Sequence, residues 1–331
     1  MMTESRSVLP YDAVQEAQQR ISPFARHTPL VPSAYLSRRT GAQVWLKLEC
    51  QQWTGSFKAR GALNKVGLLT AEQKARGVVT GSAGNHGLGV AYASRCHGAI
   101  QADVFVPFTA PRAKVDKLAD LGALVHQVGK TYEDAHRAAE SFSCEAGASY
   151  VQAYDDVDVV AGQGTVGLEV LADLPRVDLA LVPVGGGGLI AGMATVLKKA
   201  LPGCRVVGVQ PEASPSAWLS LRDGVAYDPY NHAPTLADGL AGGFGAVPFR
   251  LARNLIDEVL LASEFDMRHA IFALLDREQV VAEASGAIAI APLLTGGLDV
   301  AGQTVVCVIS GGNIGVALLR DILTEFTSST L

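Results

Sequence analysis

Short apolar runs and helical stretches alternate along most of this chain, and that rhythm restricts its fold more than any other feature. A strand reads at 78–80, a helix at 85–97 closed by Gly98, a strand at 102–106, and a helix from Pro111 to 121. A strand at 123–127 and a helix at 132–145 continue the series. Proline suits the first position of a helix, where its missing N–H has no partner to lose. Strand and helix at this spacing predict parallel βαβ units. The run 179–184 is almost continuously apolar, as is 304–309, which fits strands covered on both faces of a sheet. Strands at 44–48 and 205–210 join them, with helices at 11–21, 57–69, 157–174, 189–200, 249–256, 264–276 and 284–294 and a last one ending near Phe326. Residues 1–10 read as a frayed end. The segment 223–247, rich in Gly, Pro and Asp, reads as a long loop that touches the site. A length of 331 residues suits two domains or one large α/β unit. The division expected is a small domain at 51–150 and a large one formed by 1–50 and 151–331.

Composition removes several function classes. With a formal net charge of −5 and no basic stripe, neither nucleic acid nor an anionic membrane surface is an expected partner. The five cysteines are scattered, without a CxxC pair or a Cys/His cluster, so neither a disulfide framework nor a zinc site is indicated. Residues 1–10 hold no signal-peptide apolar core, and no run reaches membrane-spanning length. A reduced cytoplasm is the expected compartment. Glycine clusters beside the strands, which points to backbone approaching a ligand closely.

Ligands of open α/β sheets bind beyond the carboxyl ends of strands. Four stretches lie at such ends or on an adjacent turn. In 54–62, Thr-Gly-Ser-Phe-Lys-Ala-Arg-Gly-Ala, Lys58 opens a helix between Phe57 and small residues. A lysine buried there has a lowered pKa and an available neutral amine, suited to a Schiff base with a carbonyl cofactor; an exposed lysine at a helix start is the plain alternative. Phe57 either lines the cofactor pocket or packs in the core. Gly185, Gly186, Gly187, Gly188 and Leu189 follow an apolar strand and open a helix. Glycine N–H groups and a helix N-terminus suit a phosphate, and four glycines exceed the need of a tight turn. Ser82, Ala83, Gly84, Asn85 and His86 follow another strand. Their backbone suits a carboxylate and the Asn85 amide a cofactor oxygen, while Ser82 or Asn85 can equally cap a helix. His86 alone is given no role. Ser310, heading Ser-Gly-Gly-Asn, either caps the last helix or bonds a heterocyclic nitrogen.

Taken together, the four stretches resemble the fold-type-II pyridoxal-phosphate enzymes, in the branch of threonine/serine dehydratases and serine racemase. The resemblance runs from about residue 22 to 320. Residues 55–62 match the lysine motif, 82–86 the carboxylate loop, 185–189 the phosphate loop and Ser310 the residue facing the pyridine nitrogen. Gly162-Gln163-Gly164-Thr165 and Ala237-Asp238-Gly239 are further marks. The implied fold is two open, twisted, mainly parallel sheets flanked by helices, like the tryptophan synthase β subunit. The implied cofactor is pyridoxal 5'-phosphate, held by Phe57, Lys58, Asn85, 185–189 and Ser310. Ser82, Ala83, Gly84, Asn85 and His86 are implied to receive the amino-acid substrate, and Lys58 is the implied catalytic base.

The implied activity is elimination of water from a β-hydroxy-α-amino acid, giving a 2-oxo acid and ammonia, in a cytoplasmic homodimer. Phenylserine or 3-hydroxyaspartate as substrate, serine racemisation and cofactor binding without turnover are the alternatives. Racemases of the branch carry a serine where Ala83 stands. Metal-dependent members carry acidic ligands where Gln210, Ser214 and Ser216 stand, beside the single acid Glu212, so no metal is expected. Cys50, Trp53, Leu88 and Gly315 also depart from the dehydratase pattern and leave room for a larger substrate, with 242–245 a place to accommodate it. No regulatory domain is expected after residue 326.

Overall fold

The computed structural model describes residues 8–328, so most of the frayed segment expected at 1–10 lies outside the described residues. The strands are β1 (Leu30–Pro32), β2 (Gln43–Lys47), β3 (Val78–Gly81), β4 (Ala102–Val106) and β5 (Leu124–Gln127). They continue as β6 (Ser149–Tyr150), β7 (Leu179–Pro183), β8 (Arg205–Pro211), β9 (Glu258–Ala262) and β10 (Thr304–Val308). Two sheets result. The six-stranded one has the order β1-β2-β10-β7-β8-β9 and the four-stranded one β5-β4-β3-β6. Every pairing is parallel except β1 with β2.

The apolar strands work as their sequences demand. Successive side chains of a strand point to opposite faces. In β7 and β10, Leu179, Leu181, Val305 and Cys307 enter one core, while Ala180, Val182, Val306 and Val308 enter the other. In the smaller sheet Val78, Val104 and Val106 enter one core, and Val79 and Phe105 the other. The flanking helices begin where capping chemistry starts them. Asp156 accepts from the N–H groups of Asp158 and Val159 at 2.8 and 3.1 Å and so opens helix Val157–Asp173. Thr131 and Ser263 form capping boxes with Asp134 and Asp266.

Two expectations fail locally, and a third gains detail. The helix read at 284–294 is broken into Ala284–Ala287, a 3-10 turn Ile288–Ile290 and Ala291–Thr295. Pro292 has no N–H to donate backwards, so a continuous helix cannot run through it. The helix read at 249–256 begins earlier and ends earlier, as Ala246–Ala252. The loop at 223–247 contains the 3-10 turn Asp238–Leu240.

Helix Lys58–Gly67 is fixed by a buried charge cluster. Arg60, fully buried, donates to both oxygens of Glu49 at 2.8 Å and to both of Glu169 at 2.7 and 2.8 Å. Lys47 on β2, also fully buried, reaches Glu169 at 2.6 Å and the Thr28 carbonyl at 2.6 Å. Burial alone would raise the Glu169 pKa, yet Arg60 and Lys47 hold it below the usual carboxylate value. The glycine at 162 allows this helix to approach Val157–Asp173, since a Cβ there would sit 2.6 Å from the Arg60 carbonyl oxygen. Removing one partner of a buried charge pair costs about 3–5 kcal/mol, because the other charge is left uncompensated. Arg60→Met should therefore lower the unfolding free energy of the cofactor-free protein by that scale, seen as a lower denaturant midpoint. An unchanged midpoint would show that the cluster does not hold the helix.

Candidate active site

β7 and β10 are neighbours in the large sheet, with Cys307 opposite Leu181. Parallel pairing puts their carboxyl ends on one edge. The turn 185–188 leaves β7 there, and Ser310 leaves β10 beside it. The Lys58 turn is laced onto the second of these. Phe57 N–H donates to the Ser310 carbonyl at 3.1 Å, Gly312 N–H donates to the Gly55 carbonyl at 2.9 Å, and Ser56 bridges Gly311. The loop 82–86 leaves β3 of the small sheet and reaches the same place: Asn313 Nδ2 donates to Asn85 Oδ1 at 2.7 Å. Three of the four stretches are thus directly bonded to one another. The fourth joins through Tyr154, one residue after the carbonyl that accepts from Lys58; its ring lies against Gly186 and its backbone against Gly188.

Lys58 is half-buried by surface, but its amine is crowded by protein and has a single hydrogen bond, to the Ala153 carbonyl at 2.8 Å. A carbonyl cannot neutralise a cation as a carboxylate does. Burial therefore lowers the Lys58 pKa to about 8. The Phe57 ring centroid lies 5.3 Å from this amine, so Phe57 lines the site as well as touching the core. His86 is buried and its Nε2 faces the Val151 carbonyl at 2.9 Å, so that nitrogen carries the hydrogen. Burial, followed by the charge of Lys58, depresses its pKa to about 3, and the ring is neutral.

Ser82 accepts from Gly84 N–H at 3.3 Å and does not cap the helix that follows; its N-cap is Gly84, with no side-chain cap bond. Ser82, Ala83, Gly84 and Asn85 keep partial exposure among buried neighbours, as the lining of a cleft does. Gly187 adopts φ +91°, and a Cβ on it would meet the Phe244 ring at 2.2 Å. Only glycine gives the β7 turn this path. The first N–H groups of helix Gly188–Ala200 have no partner within the helix, and they open toward this turn. Leu189 buries its side chain in the core and offers only its backbone. Ser310 lies six residues before helix Val316–Ser328 and so does not cap it; its hydroxyl donates to the Ser285 carbonyl at 3.2 Å.

These residues fit a phosphorylated carbonyl cofactor. Among the described residues the amine is paired with no carboxylate and the Ser56 hydroxyl, two residues before the lysine, is buried without a hydrogen-bond partner; the glycine turn leads into a helix N-terminus. Of the four departures from the dehydratase pattern, Cys50 alone abuts these turns, 3.1 Å from where a Gly312 Cβ would be. Burial, with the charge of Glu49, pushes its thiol up to about 12, so it is not a nucleophile. Trp53 is exposed with Arg26 over its ring at 4.0 Å, and Leu88 lies in the small-sheet core. In the segment 242–245, Gly242 faces open space, while Phe244 and Gly245 pack on the glycine turn. Phe244 fills the side of the glycine turn, and Gly245 N–H donates to the Gly186 carbonyl at 3.2 Å. At the positions matching the branch's cation site, Gln210 accepts from Ala217 and Trp218 N–H and donates to Ser216, while Ser214 is bonded to Gly242.

Sequence reasoning passed over Glu283, Asn313 and Tyr154. Glu283 had a visible signal, as the one charge inside the small apolar run 280–291. Tyr154 had none, since its role depends on a chain crossing between sheets.

Comparison with known proteins agrees with this geometry. The family model described as pyridoxal-phosphate dependent enzyme matches residues 21–311. The chain is 43% identical to an L-threonine ammonia-lyase of Thermotoga maritima, across 94% of this chain and 77% of that one. It is 41% identical to a catabolic L-threonine dehydratase of Staphylococcus aureus, across 94% and 90%. Among solved structures, maize serine racemase superposes with a TM-score of 0.89 at 29% identity, covering 98% of this chain and 99% of that one. The processed form of tomato (Solanum lycopersicum) threonine deaminase isoform 2 superposes with 0.88 at 33%, covering 96% and 94%. A match over most of the chain, on both sequence and fold, places this protein among the fold-type-II pyridoxal-phosphate-dependent enzymes.

Proposed function

We propose that this chain is an ammonia-lyase that eliminates water from a β-hydroxy-α-amino acid of the threonine or serine type. The observation that carries the reading is the Lys58 amine: crowded, faced by a carbonyl, and with its pKa lowered by burial to about 8, so that about half of it is neutral at that pH. The relatives named as threonine ammonia-lyase and dehydratase support the same chemistry. In this reading the backbone of 185–189 would hold the cofactor phosphate, and Ser310, Asn85 and Lys58 would hold its ring nitrogen, ring oxygen and carbonyl carbon. Residues 82–86 take the substrate carboxylate. When bound, pyridoxal phosphate supplies a conjugated ring that accepts the electrons left when Cα loses its proton.

The chain's own residues do the rest. With substrate bound, the Lys58 amine would be the base for the Cα proton. Ser310 would be a neutral neighbour for the ring nitrogen, where an aspartate would keep that nitrogen protonated and strengthen the electron sink. The neutral neighbour suits prompt loss of the β-hydroxyl over reprotonation elsewhere. The released enamine hydrolyses to the 2-oxo acid and ammonia. We assign this reaction to a homodimer in the cytoplasm, with residues 51–150 as a small domain over the large one. No helix among the described residues is long and apolar enough to cross a membrane.

Purified, cofactor-loaded protein given L-threonine or L-serine should release 2-oxo acid and ammonia in equal amounts. Lys58→Ala should abolish this while the cofactor still binds through the glycine turn; retained turnover would remove Lys58 from the mechanism. The same amine sets how cofactor loads. Its neutral form is the reactive one, so the loading rate of cofactor-free protein should rise with pH and level off above about 8. An ordinary exposed lysine would keep gaining toward pH about 10.4.

The likeness to maize serine racemase raises a second reading. It requires a proton carrier on the face opposite Lys58, and Ala83 has only a methyl group. Ala83→Ser should add enantiomer formation that the unsubstituted protein lacks. Unchanged chirality of recovered serine would leave position 83 without that role.

A further inference from the structure

Beside the proposed cofactor site runs a chain of side-chain hydrogen bonds whose direction can be worked out. The Thr54 carbonyl can only accept, so the Asn313 atom 2.9 Å from it is Nδ2. The same Nδ2 lies 2.7 Å from Asn85, so the Asn85 atom there is its oxygen. That turns Asn85 Nδ2 toward Glu283, whose Oε1 it reaches at 2.5 Å. An ionised carboxylate is an acceptor only, so both ends of the chain agree on one orientation. Nδ2 carries two hydrogens, and Glu283 takes one.

The surrounding backbone is shaped to admit these groups. A Cβ at Gly311 would sit 2.1 Å from Glu283 Oε1, and one at Gly55 would sit 2.9 Å from the Asn313 amide. Glu283 is itself pinned, since its N–H donates to the Gly311 carbonyl at 3.1 Å and its carbonyl accepts from Gly286 and Ala287. The carboxyl group has no second side-chain partner among the hydrogen bonds of the described residues.

We infer that Glu283 is the positioning residue for Asn85: its carboxylate fixes the amide so that the second N–H is presented to the cofactor. This rests on the reading of Asn85 as a cofactor contact. Burial, and then the charge of Asp238, push the Glu283 pKa up to about 7 against the Asn85 bond and the charges of Lys114 and Lys117. The charged or titratable groups around it are Lys114 and Lys117 on helix Arg112–Asp120, Asp238 on its 3-10 turn and Cys50 on the turn Glu49–Gln51. Asp238 is paired with Lys114 at 3.3 Å. The carboxylate is present above pH about 7, and its grip on Asn85 weakens as pH falls through that value.

The test measures the dissociation constant of pyridoxal phosphate for unsubstituted protein, Glu283→Gln, Asn85→Ala and the double variant, at pH 6 and pH 8. Comparing proteins at one pH cancels the titration of Lys58 and of the cofactor. At pH 8 Glu283→Gln should weaken binding about fivefold, the scale on which a charged acceptor exceeds a neutral one. At pH 6 the gap should close. In the Asn85→Ala background the same substitution should change binding by less than about twofold, since a residue acting through another has nothing left to act on. A gap independent of pH, or one that persists without Asn85, overturns the inference and leaves the site reading intact. Asn85→Ala binding as tightly as the unsubstituted protein overturns both. Should Glu283→Gln not fold, the pH profiles decide. The unsubstituted protein must lose more affinity than Asn85→Ala as pH falls through 7, the Lys58 and cofactor titrations being common to both, and equal profiles overturn the inference.

Discussion

The arrangement of this protein depends on four charges shut away from water. Arg60, Lys47, Glu49 and Glu169 are each exposed by 3% or less. Burying one ion costs several kcal/mol, so such a cluster persists only when its geometry satisfies nearly every donor and acceptor. Here it does, with Arg60 forked onto two carboxylates and Lys47 closing the second. The cluster joins β2, the turn after it, helix Val157–Asp173 and helix Lys58–Gly67. A hydrophobic patch would tolerate sliding of that helix by a fraction of a turn. Paired hydrogen bonds to two carboxylates do not.

That rigidity explains the treatment of Lys58. Two positions along a helix turn the side chain by about 200°, so Arg60 and Lys58 face opposite ways from one turn. Arg60 enters the cluster and Lys58 is directed at the cleft. The contrast between two lysines shows what partners decide. Lys47 meets a carboxylate at 2.6 Å, while Lys58 meets only a carbonyl at 2.8 Å. The first is a structural cation. The second is left with a burial cost that it relieves by losing its proton, which is the form a base or a Schiff-base amine requires.

Much of this was legible in the residues. The strands of β7 and β10 are long apolar runs because both faces are covered, and a glycine or Ser-Gly-Gly turn at each carboxyl end marks where backbone approaches a ligand. What escaped reading is set by contacts between segments distant in sequence. β1 and β9 are edge strands with one side unpaired, so their sequences carry a weak pattern; β9 alternates poorly, as Glu258, Val259, Leu260, Leu261 and Ala262 show. The break of 284–294 was signalled by Pro292, but the apolar spacing around it reads as one helix. Asn313 and Glu283 matter because the turns that carry them meet Asn85 from another sheet, and pairing between sheets has no local signature.

The protonation states of the proposed site narrow its chemistry further. Elimination needs one base on one face of the substrate; racemisation needs a proton carrier on each. His86 is neutral, with the hydrogen of Nε2 committed to Val151, because burial and Lys58 hold its pKa near 3. Burial, with the charge of Asp228, pushes the Tyr154 hydroxyl well above the ordinary phenol, so it keeps its proton. Ser310 is bonded to a carbonyl, and Ala83 has no proton to exchange. Glu283 titrates near neutrality, but its oxygen is engaged by Asn85. Lys58 is then, in the proposed reading, the base at working pH, and it acts from a single face. On the reading proposed above, such a site would remove the Cα proton from one face, with no carrier on the other face to return it.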